Sequence, residues 1–130
     1  MNVLVDSSVF IEFLRGRGDG ALEVLLLNNQ VLLSQVAQLE LLAGSRRKED
    51  RIVEKLFSGL RLIPEFPPAR LVQELLIRAR GRGLLGGFPD LMLLADAQRE
   101  KAPLYTLDRK LARLATEAGL KLIENMLAPA

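Results

Sequence analysis

Two aspartates follow directly on short apolar runs of the kind that form buried β-strands. Asp6 comes after NVLV, residues 2 to 5, and Asp108 lies just beyond LYT, residues 104 to 106. In open parallel sheets, ligands bind outside the carboxyl ends of the strands. Both carboxylates are therefore expected at the edge of the sheet where such sites form.

Two further acids are expected beside them. Glu40 lies six residues after Ser34, which ends the second apolar run VLLS, so about one and a half helical turns carry it along the wall of the same crevice. Asp90 follows a glycine-rich loop, residues 81 to 89, and is expected to begin the most apolar helix, at the positive end of its dipole. The acids expected to converge on one cleft are Asp6, Glu40, Asp90 and Asp108.

A cluster of carboxylates is chemically reasonable when a cation fills it. Close carboxylates repel one another, and without a counter-ion some of them would bind protons with raised pKa values. Mg²⁺ or Mn²⁺ in such a site can activate a water and stabilise the charge that develops on a phosphodiester. The chain has no His and no Cys, which excludes histidine-based triads, thiolate nucleophiles and zinc sites built on those residues. The pattern therefore predicts metal-dependent hydrolysis of a phosphodiester.

Length and composition indicate one globular domain over residues 1 to 130. The chain is 49% hydrophobic and 26% charged, which is typical of soluble globular proteins. It contains no apolar run long enough to span a bilayer, and its start lacks the features of a signal peptide. Together with the absence of cysteine, these features predict a cytoplasmic protein.

Short apolar runs alternate with helical patterns along the chain. This alternation predicts an α/β fold, a three-layer α/β/α sandwich with a mainly parallel central sheet. The predicted strands cover residues 2–5, 31–34, 60–63, 103–108 and 121–124. The predicted helices cover the segment after Asp6 up to Gly16 and residues 20–28, 35–43, 45–57, 68–80, 90–101 and 109–118.

Four stretches together resemble the PIN-domain ribonucleases, and specifically the VapC toxins of toxin–antitoxin pairs. VLVDSSVFIEFLRG, residues 3 to 16, resembles the family's opening strand and first helix. VLLSQVAQLELLAG, residues 31 to 44, resembles its second strand and acidic helix. PDLMLLADAQ, residues 89 to 98, and PLYTLDRKL, residues 103 to 111, resemble its Asp-bearing helix and its closing Thr-x-Asp segment.

The resemblance implies a PIN-like fold over the whole chain and an endoribonuclease that holds Mg²⁺ or Mn²⁺. It further implies an RNA substrate, a small antitoxin protein that covers the cleft, and a homodimer without membrane association. By this resemblance the metal-binding acids are Asp6, Glu40, Asp90 and Asp108, and the supporting hydroxyl residues are Ser8 and Thr106. Lys110 stands where many relatives have a further aspartate, which leaves open whether one metal ion is bound or two.

Several acids also have a structural explanation. Asp6 and Asp90 can be explained as helix N-caps, and Asp108 as the start of the last helix. Glu12 fits a pair with Arg15 on a helix surface.

The hydroxyl residues and one further acid have expected roles of their own. Ser7 is expected to cap the first helix, while Ser8 faces the site; Ser34 is a second candidate cap. Asp96, six residues after Asp90, is expected on another side of its helix, near a helix end or an interface.

The basic residues indicate where RNA would bind. The stretch RARGR adjoins the glycine-rich loop, and its arginines are the predicted phosphate contacts: Arg78, Arg80 and Arg82. The stretch RRKEDR, residues 46 to 51, is a second candidate, although its interleaved acids favour a solvated helix face. Aromatic residues make up only 5% of the chain, which favours recognition of the RNA backbone over extensive base stacking.

Two other functions fit part of the pattern. A haloacid-dehalogenase-type phosphatase also places an aspartate after its first strand, but it needs a second aspartate two residues later, where this chain has Ser8. A catalytically silent PIN fold that only binds a partner is the other alternative. Lys110 gives it some support, and the four acids argue against it.

Overall fold

The computed structural model describes residues 1–44, 50–84 and 87–123. Helices and strands alternate through these ranges. The strands are β1 (Val3–Val5), β2 (Val31–Leu33), β3 (Arg61–Leu62) and β4 (Leu104–Tyr105). The helices are α1 (Ser7–Leu14), α2 (Ala21–Leu27), α3 (Gln35–Gly44), α4 (Asp50–Ser58), α5 (Ala69–Gly81), α6 (Phe88–Glu100) and α7 (Arg109–Glu117). None of the helices in these ranges is long and apolar enough to cross a membrane.

The four strands form one parallel sheet in the order β3-β2-β1-β4. Because all of them run the same way, their carboxyl ends meet at a single edge, and β1 lies inside the sheet between β2 and β4. A parallel bridge between Leu104 and Leu122 lies where a last strand was predicted over residues 121–124. Residue 124 itself lies outside the described part of the chain.

Each face of the sheet has its own apolar core. Leu4 and Leu104 point to one face, where they pack with residues of α5, α6 and α7. Val3 and Val5 point to the other face, where they pack with residues of α1, α2, α3 and α4. Successive strand residues point to opposite faces, so strands covered on both sides are apolar throughout. The predicted three-layer α/β/α sandwich is confirmed.

Most predicted elements are present with shorter or shifted ends. The helix predicted from Asp90 begins two residues earlier, at Phe88. Pro89 lies in its first turn, where proline lacks only an N–H that would have no partner in the helix, so the residues FP belong to the helix and not to the preceding loop. Of the helix predicted over residues 45–57, the described part begins at Asp50, and residues 45–49 lie outside it.

An ion pair within α6 also contacts the segment before α5 through its arginine. Asp96 is fully buried, and its Oδ1 lies 2.8 Å from Nη2 of Arg99. Arg99 also donates to the backbone carbonyls of Glu65 and Phe66. The C-terminal part of α6 therefore lies beside the residues that lead into α5, and the two helices run antiparallel.

This arrangement also changes the titration of Asp96. Burial raises the pKa of Asp96 from 3.8 to about 6, although the charge of Arg99 opposes the shift. Oδ2 of Asp96 is buried and has no hydrogen-bond partner among the described residues. The ionised form of this carboxyl is therefore disfavoured in the folded protein.

Replacing Asp96 by Asn is expected to remove one part of the pH dependence of stability. Because the folded pKa lies above the unfolded one, the contribution of Asp96 is fully present below the unfolded pKa of 3.8 and is lost as the pH rises through about 6. A shift of about 2 pKa units corresponds to roughly 3 kcal/mol. In denaturant titrations, the free energy of unfolding of the wild type minus that of Asp96→Asn should fall by up to this amount between about pH 4 and 7.

Glu74→Gln on α5 is the control, because Glu74 is an exposed acid whose charge is not among the causes that shift the pKa of Asp96. A wild-type minus Asp96→Asn difference that stays constant across the same pH range would contradict the raised pKa.

Candidate functional site

Asp6 lies at the carboxyl end of β1, immediately before α1. It occupies the N-cap position of α1, yet its side chain makes no capping hydrogen bond. Instead, Oδ2 accepts hydrogen bonds from the hydroxyls of Ser8 and Thr106, each at 2.7 Å. The explanation of Asp6 as a simple cap is therefore wrong. Oδ1 accepts no hydrogen bond from any described residue.

The two hydroxyls that hold Asp6 also connect β1 to the start of α7. Oγ1 of Thr106 accepts a hydrogen bond from the backbone N–H of Asp108 at 3.0 Å. Oγ of Ser8 accepts one from the N–H of Leu107 at 3.1 Å. A hydroxyl has a single proton, and both protons are donated to Asp6. Each hydroxyl thus fixes Asp6 with its proton and the segment around Asp108 with its oxygen.

Asp108 has a capping role and contributes charge to the cleft as well. Its Oδ1 accepts from the backbone N–H groups of Lys110 and Leu111, at 2.9 and 3.2 Å, and so caps α7. The structural explanation of Asp108 as the start of the last helix is correct in this respect. The negative charge of Asp108 nevertheless raises the pKa of Asp90, which shows that the two carboxylates are close.

Glu40 reaches the same edge from α3. Oγ of Ser7 lies 3.3 Å from Oε1 of Glu40 and donates to it. The prediction that Ser7 caps α1 is wrong, because α1 begins at Ser7 itself and the hydroxyl is directed across to α3. The other candidate cap is present: Oγ of the buried Ser34 accepts from the N–H of Ala37 at 3.0 Å.

The charges of the predicted acids affect the titration of two of them, Glu40 and Asp90. Burial raises the pKa of Glu40, and the charges of Asp6 and Asp90 raise it further, while the hydrogen bond from Ser7 lowers it. Burial also raises the pKa of Asp90, followed by the charges of Asp108 and Asp6. Lys110 acts in the opposite direction and lowers the pKa of Asp90. The structure therefore brings Asp6, Glu40, Asp90 and Asp108 into one electrostatic neighbourhood.

These residues fit a divalent cation in ligand type and in charge. All four offer hard carboxylate oxygens, and a bound cation would relieve the repulsion that raises the pKa values of Glu40 and Asp90. Among the described residues, no three acidic side chains lie close enough to hold one ion together. Mg²⁺ is commonly bound through one or two carboxylates and completes its coordination with water, so it does not require such a group of three.

Two other acids have partners elsewhere. Glu12 forms ion pairs with Arg15 at 3.8 Å and with Arg17 at 3.0 Å, so the predicted pairing on the helix surface is confirmed. Asp96 pairs with Arg99 and is fully buried. Neither Glu12 nor Asp96 is among the charges that shift the pKa values of Glu40 and Asp90.

The predicted RNA-binding arginines lie at the C-terminal end of α5. Arg78 and Arg80 are exposed in the last turns of this helix. Arg82 caps the helix and forms a 2.8 Å ion pair with Glu117, the last residue of α7. Of the second candidate stretch, residues 46–49 lie outside the described part of the chain.

Two contributions to the site were not predicted. The hydrogen bond from Ser7 to Glu40 joins residues 33 positions apart, and no local pattern announces such a contact. The positive charge of Lys110 beside Asp90 was detectable only as a departure from the family pattern. Both contacts depend on how α1, α3, α6 and α7 meet in three dimensions.

Replacing Asp6 by Asn is expected to lower the pKa values of Glu40 and Asp90. The charge of Asp6 raises both of these pKa values in the wild type, and the substitution removes that charge. Carboxyl ¹³C chemical shifts recorded as a function of pH, in a chelator-treated sample, measure the two pKa values directly. Glu12→Gln is the matched control on the same helix and should leave both unchanged. Equal pKa values in Asp6→Asn and the wild type would show that the acids do not share a site.

Comparison with known proteins agrees with this geometry. The model of the PIN domain family matches residues 3–117, which is most of the chain. Among curated protein sequences, none matches.

Several solved structures have the same fold. The VapBC2 complex of Rickettsia felis bound to a promoter DNA fragment is 22% identical, with a TM-score of 0.75, and 95% of this chain and 98% of that chain are covered. VapBC-1 of nontypeable Haemophilus influenzae is 20% identical, with a TM-score of 0.77 and the same coverage. DNA-bound VapBC of Salmonella typhimurium is 18% identical, with a TM-score of 0.79 and coverage of 95% and 97%. The family match, over a fold that gathers four acids at one sheet edge, shows that this chain belongs to the PIN domain family.

Proposed function

We propose that this protein is a metal-dependent endoribonuclease and the toxin of a VapBC-type toxin–antitoxin pair. The observation that carries the proposal is the electrostatic coupling of four carboxylates at the carboxyl edge of a PIN fold. The names of the similar solved structures support the toxin–antitoxin part, because those structures are VapBC complexes. Membership of the PIN family also argues against the haloacid-dehalogenase alternative.

The four acids are proposed as the residues that hold Mg²⁺ or Mn²⁺: Asp6, Glu40, Asp90 and Asp108. When bound, such an ion supplies Lewis-acid stabilisation of phosphodiester charge and an activated water. Two hydroxyl donors orient Asp6 by fixing its Oδ2, and its Oδ1 has no partner among the described residues. Ser8 and Thr106 are therefore proposed as the residues that position Asp6.

Glu40 and Asp90 complete the proposed cation site from α3 and α6. Burial and neighbouring negative charge raise their pKa values, and a bound cation would favour their ionised forms. Lys110 reduces the negative charge at Asp90 but leaves all four carboxylates in place, and these four acids argue against a catalytically silent protein.

The proposed partners are a small antitoxin and a second copy of the chain. Exposed apolar side chains on neighbouring helices offer a surface for such a partner. Leu39 and Leu42 of α3 are 53% and 42% exposed, and Ile52 of α4 is 57% exposed. Contiguous exposed apolar surface is typical of protein interfaces.

Expression of the protein without its antitoxin is expected to arrest growth, and Asp6→Asn should relieve the arrest. In vitro, we expect the substitution to lower RNA cleavage by at least about 100-fold, since it removes one charge of the ion-binding cluster. The measurement is the mapping of new RNA ends after induction, with purified wild-type protein assayed in Mg²⁺ and again after a chelator.

Glu12→Gln should cut RNA as the wild type does, and circular dichroism should show that Asp6→Asn remains folded. Cleavage by a folded Asp6→Asn protein at the wild-type rate, or cleavage that persists in excess chelator, would overturn the proposed function.

Substitution of the positioning hydroxyls should have a smaller effect than loss of Asp6. Thr106→Val removes a donor to Asp6 and the acceptor for the N–H of Asp108, and it keeps the shape of the side chain. Residues that orient metal ligands typically contribute about 10- to 100-fold to metal affinity or activity. A higher Mg²⁺ concentration should partly restore cleavage by Thr106→Val but not by Asp6→Asn.

The control Thr116→Val removes a hydroxyl at the far end of α7 and should have no effect. Wild-type activity and Mg²⁺ dependence in Thr106→Val would rule out the positioning role.

A further inference from the structure

We infer that a groove along the first turns of α7 binds the backbone of the RNA where it leaves the carboxylate cleft. This inference rests on the proposed function and adds the path of the substrate. The groove lies between α7 and the loop that follows α5. Its lining residues are Gly83, Leu84, Arg109, Lys110, Arg113 and Leu114.

The groove combines a small apolar lining with three cations. Leu114 is buried and Leu84 is partly buried, whereas Arg109, Lys110 and Arg113 are exposed. Arg109 and Arg113 are four residues apart on α7, so they lie on the same side of the helix with about 6 Å between them along its axis. The positive charges therefore extend along the groove and are not concentrated at one point.

The three cations are available for an external anion. Within the described ranges, none of them forms an ion pair or a side-chain hydrogen bond with another residue. Other basic residues of the structure are already paired: Arg17 with Glu12, Arg82 with Glu117 and Arg99 with Asp96. Three cations without an ion-pair partner among the described residues thus lie on one stretch of helix.

The groove adjoins the acidic cleft. Asp108 caps α7 through the backbone N–H of Lys110, so Lys110 lies in the first turn of the helix that starts at the site. A phosphodiester chain with one phosphate at the carboxylates can therefore continue directly onto Lys110, Arg109 and Arg113.

Single-stranded RNA is the occupant that the charges favour. A nucleic-acid strand carries a negative charge on every phosphate, and Lys and Arg along a groove neutralise successive phosphates. Arginine also contacts phosphate with two hydrogen bonds at once. In the predicted RARGR surface, by contrast, the charge of Arg82 is compensated by Glu117, and that surface adjoins the C-terminal end of α5 and not the helix that Asp108 caps.

RNA binding by a triple variant tests the inference. Asp6→Asn protein, in which cleavage is suppressed, is compared with the same protein carrying Arg109→Gln, Lys110→Gln and Arg113→Gln. The probe is a fluorescently labelled single-stranded RNA 20-mer of mixed sequence, and fluorescence anisotropy gives the Kd at several salt concentrations. Loss of three phosphate contacts should weaken binding by at least about tenfold at 0.1 M salt, and should make the slope of log affinity against log salt shallower by about 2.

The matched control removes three exposed charges elsewhere: Arg70→Gln, Lys101→Gln and Lys121→Gln. Lys101 and Lys121 flank the amino end of β4, at the sheet edge opposite the acids. The control should keep most of the RNA affinity and the steep salt slope, although its net charge matches that of the groove variant.

Two outcomes would overturn the inference. Unchanged RNA affinity in the groove variant would overturn it. The same result is expected if the three cations bind an acidic protein instead of RNA. Equal weakening in the groove and control variants would attribute the effect to net charge alone. Failure of the proposed function is distinguishable from both, because it would appear as the absence of RNA cleavage by wild-type protein whatever the binding result.

Discussion

The repulsion between carboxylates held at one sheet edge is the interaction on which the rest of this structure depends. Burial raises the pKa values of Glu40 and Asp90 there, and the charges of neighbouring acids raise them further, so the site is unfavourable for the isolated protein. The two apolar cores that cover the parallel sheet supply the stability that keeps these charges together. A cation and a phosphodiester chain are the natural complements of such a site.

Local hydrogen bonds determine which of the acids are held most firmly. Asp6 is fixed by Ser8 and Thr106, and Asp108 is fixed by the N-terminus of α7. Glu40 has one bond from Ser7. The two acids with raised pKa values, Glu40 and Asp90, are thus separate from the two that are oriented most firmly. Lys110 adds a positive charge to this group, where a further acid would have increased the repulsion.

Much of this arrangement could be predicted from the sequence because it depends on short-range patterns. Apolar runs followed by an acid predict strand ends, and parallel strands bring those ends to one edge, which led to Asp6 and Asp108. The partner of Ser7 could not be predicted in this way, since Glu40 lies on another helix. The first turn of α6 was misassigned because the glycines and proline before Asp90 are equally typical of a loop and of a helix start. Predicting the groove beside α7 requires knowing where Leu84 lies in the fold.

The central claim is that these four carboxylates bind a divalent cation. Crystals grown in Mn²⁺ and measured at the manganese absorption edge test it most directly, because anomalous scattering locates the ion without reference to activity. We expect a peak within coordination distance of Asp6 and of at least one of the other three acids, directly or through water, and its loss in crystals of Asp6→Asn. Ordered carboxylates without a peak in the cleft, at saturating Mn²⁺, would contradict the claim.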